Sequence, residues 1–271
     1  MNYIYSLILW FLITTITFFV IVVSYYGYFI FKSLKLIKNT EKKYNSKIIF
    51  IRDANTKFID KILMDICKSY IISINDNYSL RRILQKNSDK KIMILLRSTG
   101  GYISSSDSML NLLNVHKPTK YVYVPSYAMS AATLLALSCD KIYMNKYAAI
   151  GPTDPQISVF DEMVSFRTIS KIIQSKPIDK IKDKMLIAYH ENKILYDDNI
   201  EVIKKCIHKH KKQNADKQDI EDIVKLFSFG DVSHHSELSI NTLIKVININ
   251  NTIPEHIQEI YTLLNYVFHI I

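Results

Sequence analysis

The amino-terminal segment of residues 3–31 constrains the fold more than any other feature, because it contains no Asp, Glu, Lys or Arg. A helix that crosses a bilayer needs about 20 apolar residues, and this segment satisfies that length. A cleaved signal peptide would instead need a basic start, an apolar part of about 7–15 residues and a small-residue cleavage site. The sequence therefore predicts an uncleaved membrane anchor over residues 1–32, which contacts the lipid bilayer through residues 4–31.

Basic residues after this segment predict its orientation. Only the amino terminus precedes the apolar segment, whereas several lysines follow it closely. The positive-inside rule places the more basic flank in the cytoplasm, so we expect the carboxyl-terminal domain to be cytoplasmic. We expect residues 33–45 to form a juxtamembrane linker and residues 46–271 to form that domain. The lysines are Lys32, Lys35, Lys38, Lys42 and Lys43.

The composition excludes several classes of protein. Of 271 residues, 48% are hydrophobic and only 5 are Gly and 6 are Pro, which excludes collagen-like and disordered chains. The net charge is 35 − 25 = +10, but the excess is scattered Lys without an Arg-rich stripe, so we expect no nucleic-acid partner. The cysteines have no zinc-binding spacing and fit a reducing compartment, and we expect neither a metal nor an organic cofactor. The cysteines are Cys67, Cys139 and Cys206.

Short extended runs alternate with helical patterns along the rest of the chain. This alternation is typical of an α/β fold with a mostly parallel sheet. Binding and catalytic sites in such folds form where the carboxyl ends of strands turn into helices. Strands are predicted at residues 47–51, 91–96, 121–124 and 141–144, and helices at 78–85, 104–115, 131–137 and across most of 166–227.

The first candidate site is a pair of glycines, Gly100 and Gly101, after the strand predicted at 91–96. Adjacent glycines let the backbone approach a ligand closely, and their N–H groups can point at an anion. A plain tight turn is the alternative interpretation. Residue 103 is Ile rather than Gly, and no P-loop lysine follows, so the pair belongs to neither common phosphate-binding motif.

The second candidate site is Ser130, between the strand predicted at 121–124 and the helix predicted at 131–137. A serine at this place can act as a nucleophile, because N–H groups at a helix amino terminus can stabilise an oxyanion. Small neighbours leave room for a substrate carbonyl. The alternative is an ordinary helix N-cap, a position that favours serine. The GxSxG nucleophile elbow does not occur in the sequence.

Four segments around these turns occur in a characteristic order. They are Leu95-Leu-Arg-Ser-Thr-Gly-Gly101, Val124-Pro-Ser-Tyr-Ala-Met-Ser-Ala-Ala-Thr-Leu134, Asp140-Lys-Ile-Tyr-Met144 and Ile150-Gly-Pro-Thr-Asp-Pro-Gln156. Together they resemble the serine dehydrogenase proteinase family, which is related to signal peptide peptidase A and the Clp protease. The family pattern is approximately TPGG, VPxYAMSAGTLIALAAD and GPxDPQ, and the resemblance covers about residues 47–264. It implies an α/β, Clp/crotonase-like repeated ββα spiral with a mostly parallel sheet, here preceded by one transmembrane helix.

The resemblance also implies an activity, that of a serine peptidase. Ser130 would be the nucleophile, and the backbone N–H groups of Gly101 and Ala131 would form the oxyanion hole. Gly100 would support this turn. The substrate is expected to be a peptide or a membrane-associated protein segment, and we expect a homo-oligomer, because proteins of this fold commonly form closed assemblies.

A serine hydroxyl needs a base, and the membrane-bound relatives use a Ser-Lys dyad. Lys171 follows Ser130 by 171 − 130 = 41 residues and lies in an apolar helical stretch, so we expect its amine to be partly desolvated and usable as a base. A surface position for Lys171 is the alternative, and Lys176 is the next candidate. A Ser-His-Asp triad has weak support, since no His occurs between His116 and His190.

Two other residues match family segments. Asp154, in the GPxDPQ-like segment, holds that loop, orients a catalytic group or forms a structural Asx-type turn. His234 matches the His of a segment of the form SGxWTHDxPI, and it either lines the site or caps a helix; His235 stands where the family has Asp.

Two residues depart from the family pattern. Thr99 stands where the family usually has Pro, and Ala132 where it usually has Gly. We expect the Ala132 methyl group beside the oxyanion site, where it would affect efficiency more than fold.

Two other functions stay open: a crotonase-type acyl-CoA enzyme, and a peptidase-like scaffold that has lost activity.

Overall fold

A parallel sheet of six strands forms the centre of the computed structural model, which describes residues 2–53, 71–159, 162–228 and 237–269. In chain order the strands are β1 (Ser46–Arg52), β2 (Ile71–Ser73), β3 (Lys91–Arg97), β4 (Lys120–Val124), β5 (Tyr127–Ala128), β6 (Lys141–Met144), β7 (Ala149–Ile150), β8 (Gln156–Val159), β9 (Glu162–Ser165), β10 (Leu238–Ser239) and β11 (Ile249–Asn250). The order in the central sheet is β11-β6-β4-β3-β1-β2, and each neighbouring pair is parallel. This arrangement confirms the α/β class.

The middle strands of this sheet are apolar along nearly their whole length. Residues 48–51, 92–96 and 122–124 are buried. Such continuous runs are expected where helices cover both faces of a parallel sheet. The helices are α1 (Asn2–Tyr44), α2 (Asn77–Lys86), α3 (Ile103–Val115), α4 (Ala131–Ser138), α5 (Phe166–Gln174), α6 (Asp183–His210), α7 (Lys217–Ser228), α8 (Ile240–Leu243) and α9 (Glu255–His269), with a 3-10 turn at Ile178–Lys180.

Two smaller sheets position the loops beyond the central sheet. Strand β7 lies between β10 and β5, and β8 pairs with β9 as an antiparallel hairpin. An isolated parallel bridge between Ser98 and Ala128 extends the line of β3 towards β5. This bridge brings the turn after β3 next to the turn after β5, which are the two turns singled out in the sequence.

The chain forms two compact units, one of Met1–Asn45 with Pro254–Ile271 and one of Ser46–Ile253. In the first unit, α1 is long and apolar enough to cross a membrane, and its most apolar window is fully exposed. Helix α9 packs against the other half of α1. The rings of Phe29 and Tyr266 lie 5.7 Å apart, and those of Tyr44 and His256 stack at 5.2 Å.

This division differs from the predicted domain boundaries. Residues 33–44 continue α1 as helix instead of forming a linker, and Pro254–Ile271 belongs with α1 rather than with the domain assigned to residues 46–271. The reason is a helical stripe among the lysines: Ser33, Ile37 and Thr40 are spaced by four and three residues and are buried. The Lys-rich composition obscured this spacing.

Candidate active site

Ser130 lies directly before α4 in a strained backbone conformation. Its φ is +51° and its ψ is −123°, a region that residues with a side chain rarely adopt. The side chain is partly exposed and makes no capping hydrogen bond, although the residue occupies the N-cap position. This geometry separates Ser130 from an ordinary capping serine, whose hydroxyl is engaged with the helix.

The first peptide groups of α4 leave one donor beside Ser130. The Ala132 N–H donates to the Met129 carbonyl at 2.9 Å, and the Thr133 N–H donates to the Ser130 carbonyl at 2.9 Å. Among the residues that the structure describes, the Ala131 N–H has no acceptor. A free N–H next to a serine at a helix amino terminus can stabilise negative charge.

The two glycines after β3 allow the neighbouring turn to approach this point. Gly100 has a φ of +117°, and a Cβ there would lie 2.9 Å from the Cβ of Ser130 and 3.1 Å from the Met129 carbonyl oxygen. A Cβ on Gly101 would overlap the side-chain oxygen of Asn75. Within the described part of the chain, the Gly101 N–H has no acceptor either. Only glycine fits both positions.

Hydrogen bonds hold the glycine turn in place. Asp53, at the end of β1, accepts from the Ser98 hydroxyl at 2.5 Å and from the Thr99 N–H at 2.9 Å. The Gly100 N–H donates to Ser98 Oγ at 3.0 Å, and the Met129 N–H donates to the Ser98 carbonyl at 2.9 Å. Thr99 therefore donates a hydrogen bond that a proline could not, which gives this departure from the family pattern a structural role.

The structure corrects the expectation for Ala132. Its side chain is fully buried in the main hydrophobic core, and it does not line the cavity beside Ser130. The physical reason is the direction of Cα–Cβ bonds around a helix: consecutive residues point about 100° apart, so Ala131 faces the cavity while Ala132 faces the core. The extra methyl group is thus accommodated by packing, away from the oxyanion position.

The loop that contains Asp154 is tied to the serine turn through Thr133. The Thr133 hydroxyl donates to the Ala128 and Gly151 carbonyls at 2.7 and 3.0 Å, and the Gly151 N–H donates to the Ala128 carbonyl at 3.1 Å. Asp154 is buried beside Thr153. Asp154 does not line the cavity beside Ser130, so its position fits the loop-holding alternative.

A cavity of about 180 Å³ opens beside Ser130. The charged residues in the described part of its lining are Asp107, on α3, and Asp198, on α6. Burial, and next the charge of Asp198, raise the pKa of the Asp107 carboxyl. The cavity is lined by Gly101, Ser106, Asp107, Ser130, Ala131, Leu134, Thr153, Pro155, Gln156, Met163, Leu195, Asp198, Asn199 and Val202.

The sequence interpretation missed the carboxylates of this cavity. Asp107 falls within the helix predicted at 104–115, and Asp198 lies far along the chain in the helical stretch predicted at 166–227. A signal for Asp198 does exist: Leu195, Asn199 and Val202 stand three residues before, one after and four after it, so polar residues interrupt an apolar helix face. Such interruptions are expected where a helix borders a site.

The sequence matches the family described as ClpP-like SDH-type serine proteinase over residues 1–269. The chain belongs to this family. The resemblance inferred from the motifs is confirmed, and with it the Clp-like fold.

Individual relatives are distant. The uncharacterized proteins MJ0137 and MJ1495 of Methanocaldococcus jannaschii are 27% and 26% identical to this chain, covering 85% and 87% of it and 77% of each relative. Among solved structures, the 1510-N membrane-bound stomatin-specific protease aligns with a TM-score of 0.43 at 14% identity, covering 79% of this chain and 84% of that one. ClpP1 from Listeria monocytogenes aligns with a TM-score of 0.44 at 15% identity, covering 80% and 97%.

The predicted base of this SDH-type serine proteinase lies elsewhere than expected. Lys171 is exposed on α5, and it is not among the described residues that line the Ser130 cavity. It stands two residues after the buried Ile169, hence about 200° around the helix. Within the described part of the chain, the side chain of Lys171 is thus not partly buried as expected. Lys176, in the turn after α5, is exposed as well, and His234 lies outside the described residues.

The two cysteines that the structure describes, Cys139 and Cys206, are buried. Burial raises the pKa of the Cys139 thiol to about 12 and that of Cys206 to about 11, which keeps both in the unreactive thiol form. Within residues 2–53, 71–159, 162–228 and 237–269, no three His, Cys, Asp or Glu side chains form a group that could hold a metal ion.

Proposed function

We propose that this serine proteinase is a membrane-anchored endopeptidase in which Ser130 attacks the scissile carbonyl. The observation that carries the proposal is the conformation of Ser130: a strained serine with an unengaged hydroxyl, next to the unpaired N–H groups of Gly101 and Ala131 among the described residues. Strain of this kind persists where the surroundings enforce it, and it is typical of catalytic residues. Gly100 supports the site by allowing the two turns to touch.

The proposed reaction proceeds by acyl transfer. Ser130 Oγ bonds to the carbonyl carbon while its proton passes to a base, and the N–H groups of Gly101 and Ala131 stabilise the oxyanion. The tetrahedral intermediate collapses as the amine leaves with that proton. Water then attacks the acyl-enzyme by the same route, which releases the acid and restores the hydroxyl.

Lys171 remains our proposal for the base, with Lys176 as the second candidate. Because Lys171 is exposed within one copy of the chain, desolvation of its amine has to come from bound substrate or from a second copy. The second route agrees with the homo-oligomer that we propose for this protein. Metal and cofactor are not required by this scheme.

For the anchor, we propose that the apolar part of α1, residues 4–31, crosses the bilayer and that the residues after it are cytoplasmic. The support is that this part of the helix is exposed and that lysines follow it in the rest of α1. Substrates would then be peptides or protein segments near the membrane. Protease added outside intact cells should leave the carboxyl-terminal domain uncut, and digestion there would reverse the proposed orientation.

The activity is tested by labelling the full-length protein with a fluorophosphonate, which bonds to activated serine hydroxyls. We expect a single adduct on Ser130, its loss in Ser130→Ala, and unchanged labelling in Ser104→Ala, which removes an exposed serine hydroxyl from α3. A folded protein that takes no label would favour the inactive scaffold. Retention of the label in Ser130→Ala would exclude Ser130 as the nucleophile.

A further inference from the structure

The cavity beside Ser130 has the size of one side chain. Its volume of about 180 Å³ is below the roughly 300–1,000 Å³ of small-molecule sites. Ser130, Gly101 and Ala131 form one part of its wall. A side chain that enters it therefore belongs to the residue whose carbonyl lies at Ser130.

The rest of the wall combines apolar surface with two carboxylates. Leu134 from α4 and Leu195 and Val202 from α6 supply the apolar part, and Asp107 and Asp198 supply the charge. This combination matches a side chain with an apolar stem and a charged end, as in Lys and Arg.

The charge of the cavity is opposite to that of the chain. Among the described residues that line it, two are Asp and none is Lys, Arg or His, whereas the whole chain carries a net charge of +10. Among the ion pairs formed within the described ranges, none includes Asp107 or Asp198. Two neighbouring like charges without a cation raise each other's free energy, and a bound cation would relieve that repulsion.

We infer that this cavity is a specificity subsite for a positively charged side chain, Lys or Arg, on the acyl side of the scissile bond. Asp107 and Asp198 are its specificity-determining residues. Because the subsite takes the side chain next to the reacting carbonyl, the inference rests on the proposed function of Ser130.

The test uses three peptide diphenyl phosphonates that differ only in the side chain next to phosphorus: lysine, norleucine and glutamate. Norleucine keeps the apolar stem of lysine without its charge. The rate of adduct formation on Ser130 of the full-length protein is followed by mass spectrometry. We expect lysine to react about 10-fold faster than norleucine, because its ammonium can donate hydrogen bonds to the two carboxylates and norleucine has no donor. Glutamate should be slowest, because its charge is repelled by the carboxylates.

Variants connect the preference to the two carboxylates. Asp107→Asn and Asp198→Asn should each lower the lysine-to-norleucine ratio by about 3-fold or more, and the double variant should bring it close to 1. Asp197→Asn is the matched control, because this neighbouring residue on α6 is exposed and pairs with Lys193 at 2.7 Å. The control should keep the wild-type ratio.

The outcomes separate this inference from the proposed function. Equal rates for lysine and norleucine in the wild-type protein, or a ratio unchanged in both Asn variants, would overturn the subsite while Ser130 still reacts. Failure of Ser130 to react with any phosphonate or fluorophosphonate would overturn the nucleophile itself. The comparison of lysine with norleucine uses the wild-type protein, so it tests the inference even if an Asn variant does not fold.

Discussion

The nucleophile side of the candidate site and its base side differ in how firmly the fold holds them. Ser130 and the glycine turn are held by hydrogen bonds that the Gly100 and Met129 N–H groups donate to Ser98, and they follow buried strands. Lys171, by contrast, is an exposed residue on the short helix α5, which follows the β8–β9 hairpin. The proposed oxyanion donors thus lie beside Ser130 in one chain, whereas the proposed base, Lys171, is not among the described residues around Ser130.

The difference indicates what each side depends on. The nucleophile side is built by two turns that follow buried strands, and an isolated parallel bridge holds Ser98 of one turn opposite Ala128 of the other. Such geometry is preorganised, and preorganised donors contribute most to stabilising a transition state. The proposed base side depends on a contact between Lys171 and Ser130 that the described residues of one chain do not show.

The largest effect is expected from Lys171→Ala. If Lys171 is the base, turnover should fall by about 10²–10⁴-fold while the fold stays intact, because general base catalysis is worth that much. Lys171→Arg should fail as well, since a guanidinium does not give up its proton. Peptide hydrolysis rates measure both changes.

Lys176→Ala is the matched control for this experiment, as an exposed lysine five residues away. It should keep activity. Loss in Lys176→Ala with full activity in Lys171→Ala would keep the dyad and move the base, and full activity in both would require another base.

The second-largest effect is expected from Gly101→Ala, which tests the proposed oxyanion donor. Gly101→Ala places a Cβ against Asn75 and 3.0 Å from Ile74 Cγ2, so the Gly101 N–H has to move. We expect turnover to fall by about 10²–10³-fold, the usual cost of one oxyanion donor, with a smaller change in KM. Gly27→Ala is the control, because nothing lies within 4 Å of a Cβ there. Equal activity in the two variants would remove Gly101 from the oxyanion hole.

The ion pairs at the carboxyl end of α4 offer a test of stability. Lys209 donates to the Ser138 carbonyl at 2.8 Å and pairs with Asp140 at 2.7 Å, and the buried Lys120 pairs with Asp140 at 3.1 Å. Burial alone would raise the pKa of the Asp140 carboxyl, but hydrogen bonds from Lys209 and Lys120 bring it below its usual value.

Asp140→Asn should lower the free energy of unfolding by about 1–3 kcal/mol, because it leaves Lys120 buried without its partner. In the wild type, this contribution is present above the unfolded pKa of about 3.9 and is lost as pH falls through the lower folded pKa. Urea titration at several pH values measures it. Glu201→Gln, which breaks the exposed pair with Lys204, should change little. An equal loss in both variants would mean that the Asp140 pairs are no stronger than surface ones.

The smallest effect is expected from Thr99→Pro. It removes the N–H bond to Asp53, worth about 1 kcal/mol, but it also restricts the unfolded chain by a comparable amount. We expect a net loss below about 1 kcal/mol in urea titration, relative to Thr99→Ala, which keeps the N–H. A gain in stability over Thr99→Ala would show that the bond to Asp53 contributes less than the restriction of the unfolded chain.

Local patterns in the sequence predicted the parts of the molecule that local physics determines. The strand at 91–96, the glycine turn and the place of Ser130 between a strand and a helix all agree with the prediction from residue types. Prediction failed where distant segments meet: Asp107 and Asp198 come together only because α3 and α6 both pack against α4. Nothing in the sequence indicated that Lys171 is exposed, because an apolar stretch shows that a helix has a buried face but not which residue lies on it.

The positive φ of Ser130 also sets stability against function at one residue. Glycine adopts this conformation without strain, so Ser130→Gly should raise the free energy of unfolding by roughly 1 kcal/mol, which urea titration reads directly, while removing the proposed nucleophile. A mutational path that followed stability alone would therefore replace this serine early. Its presence at a position where folding favours glycine is what selection for a hydroxyl group would leave in the sequence.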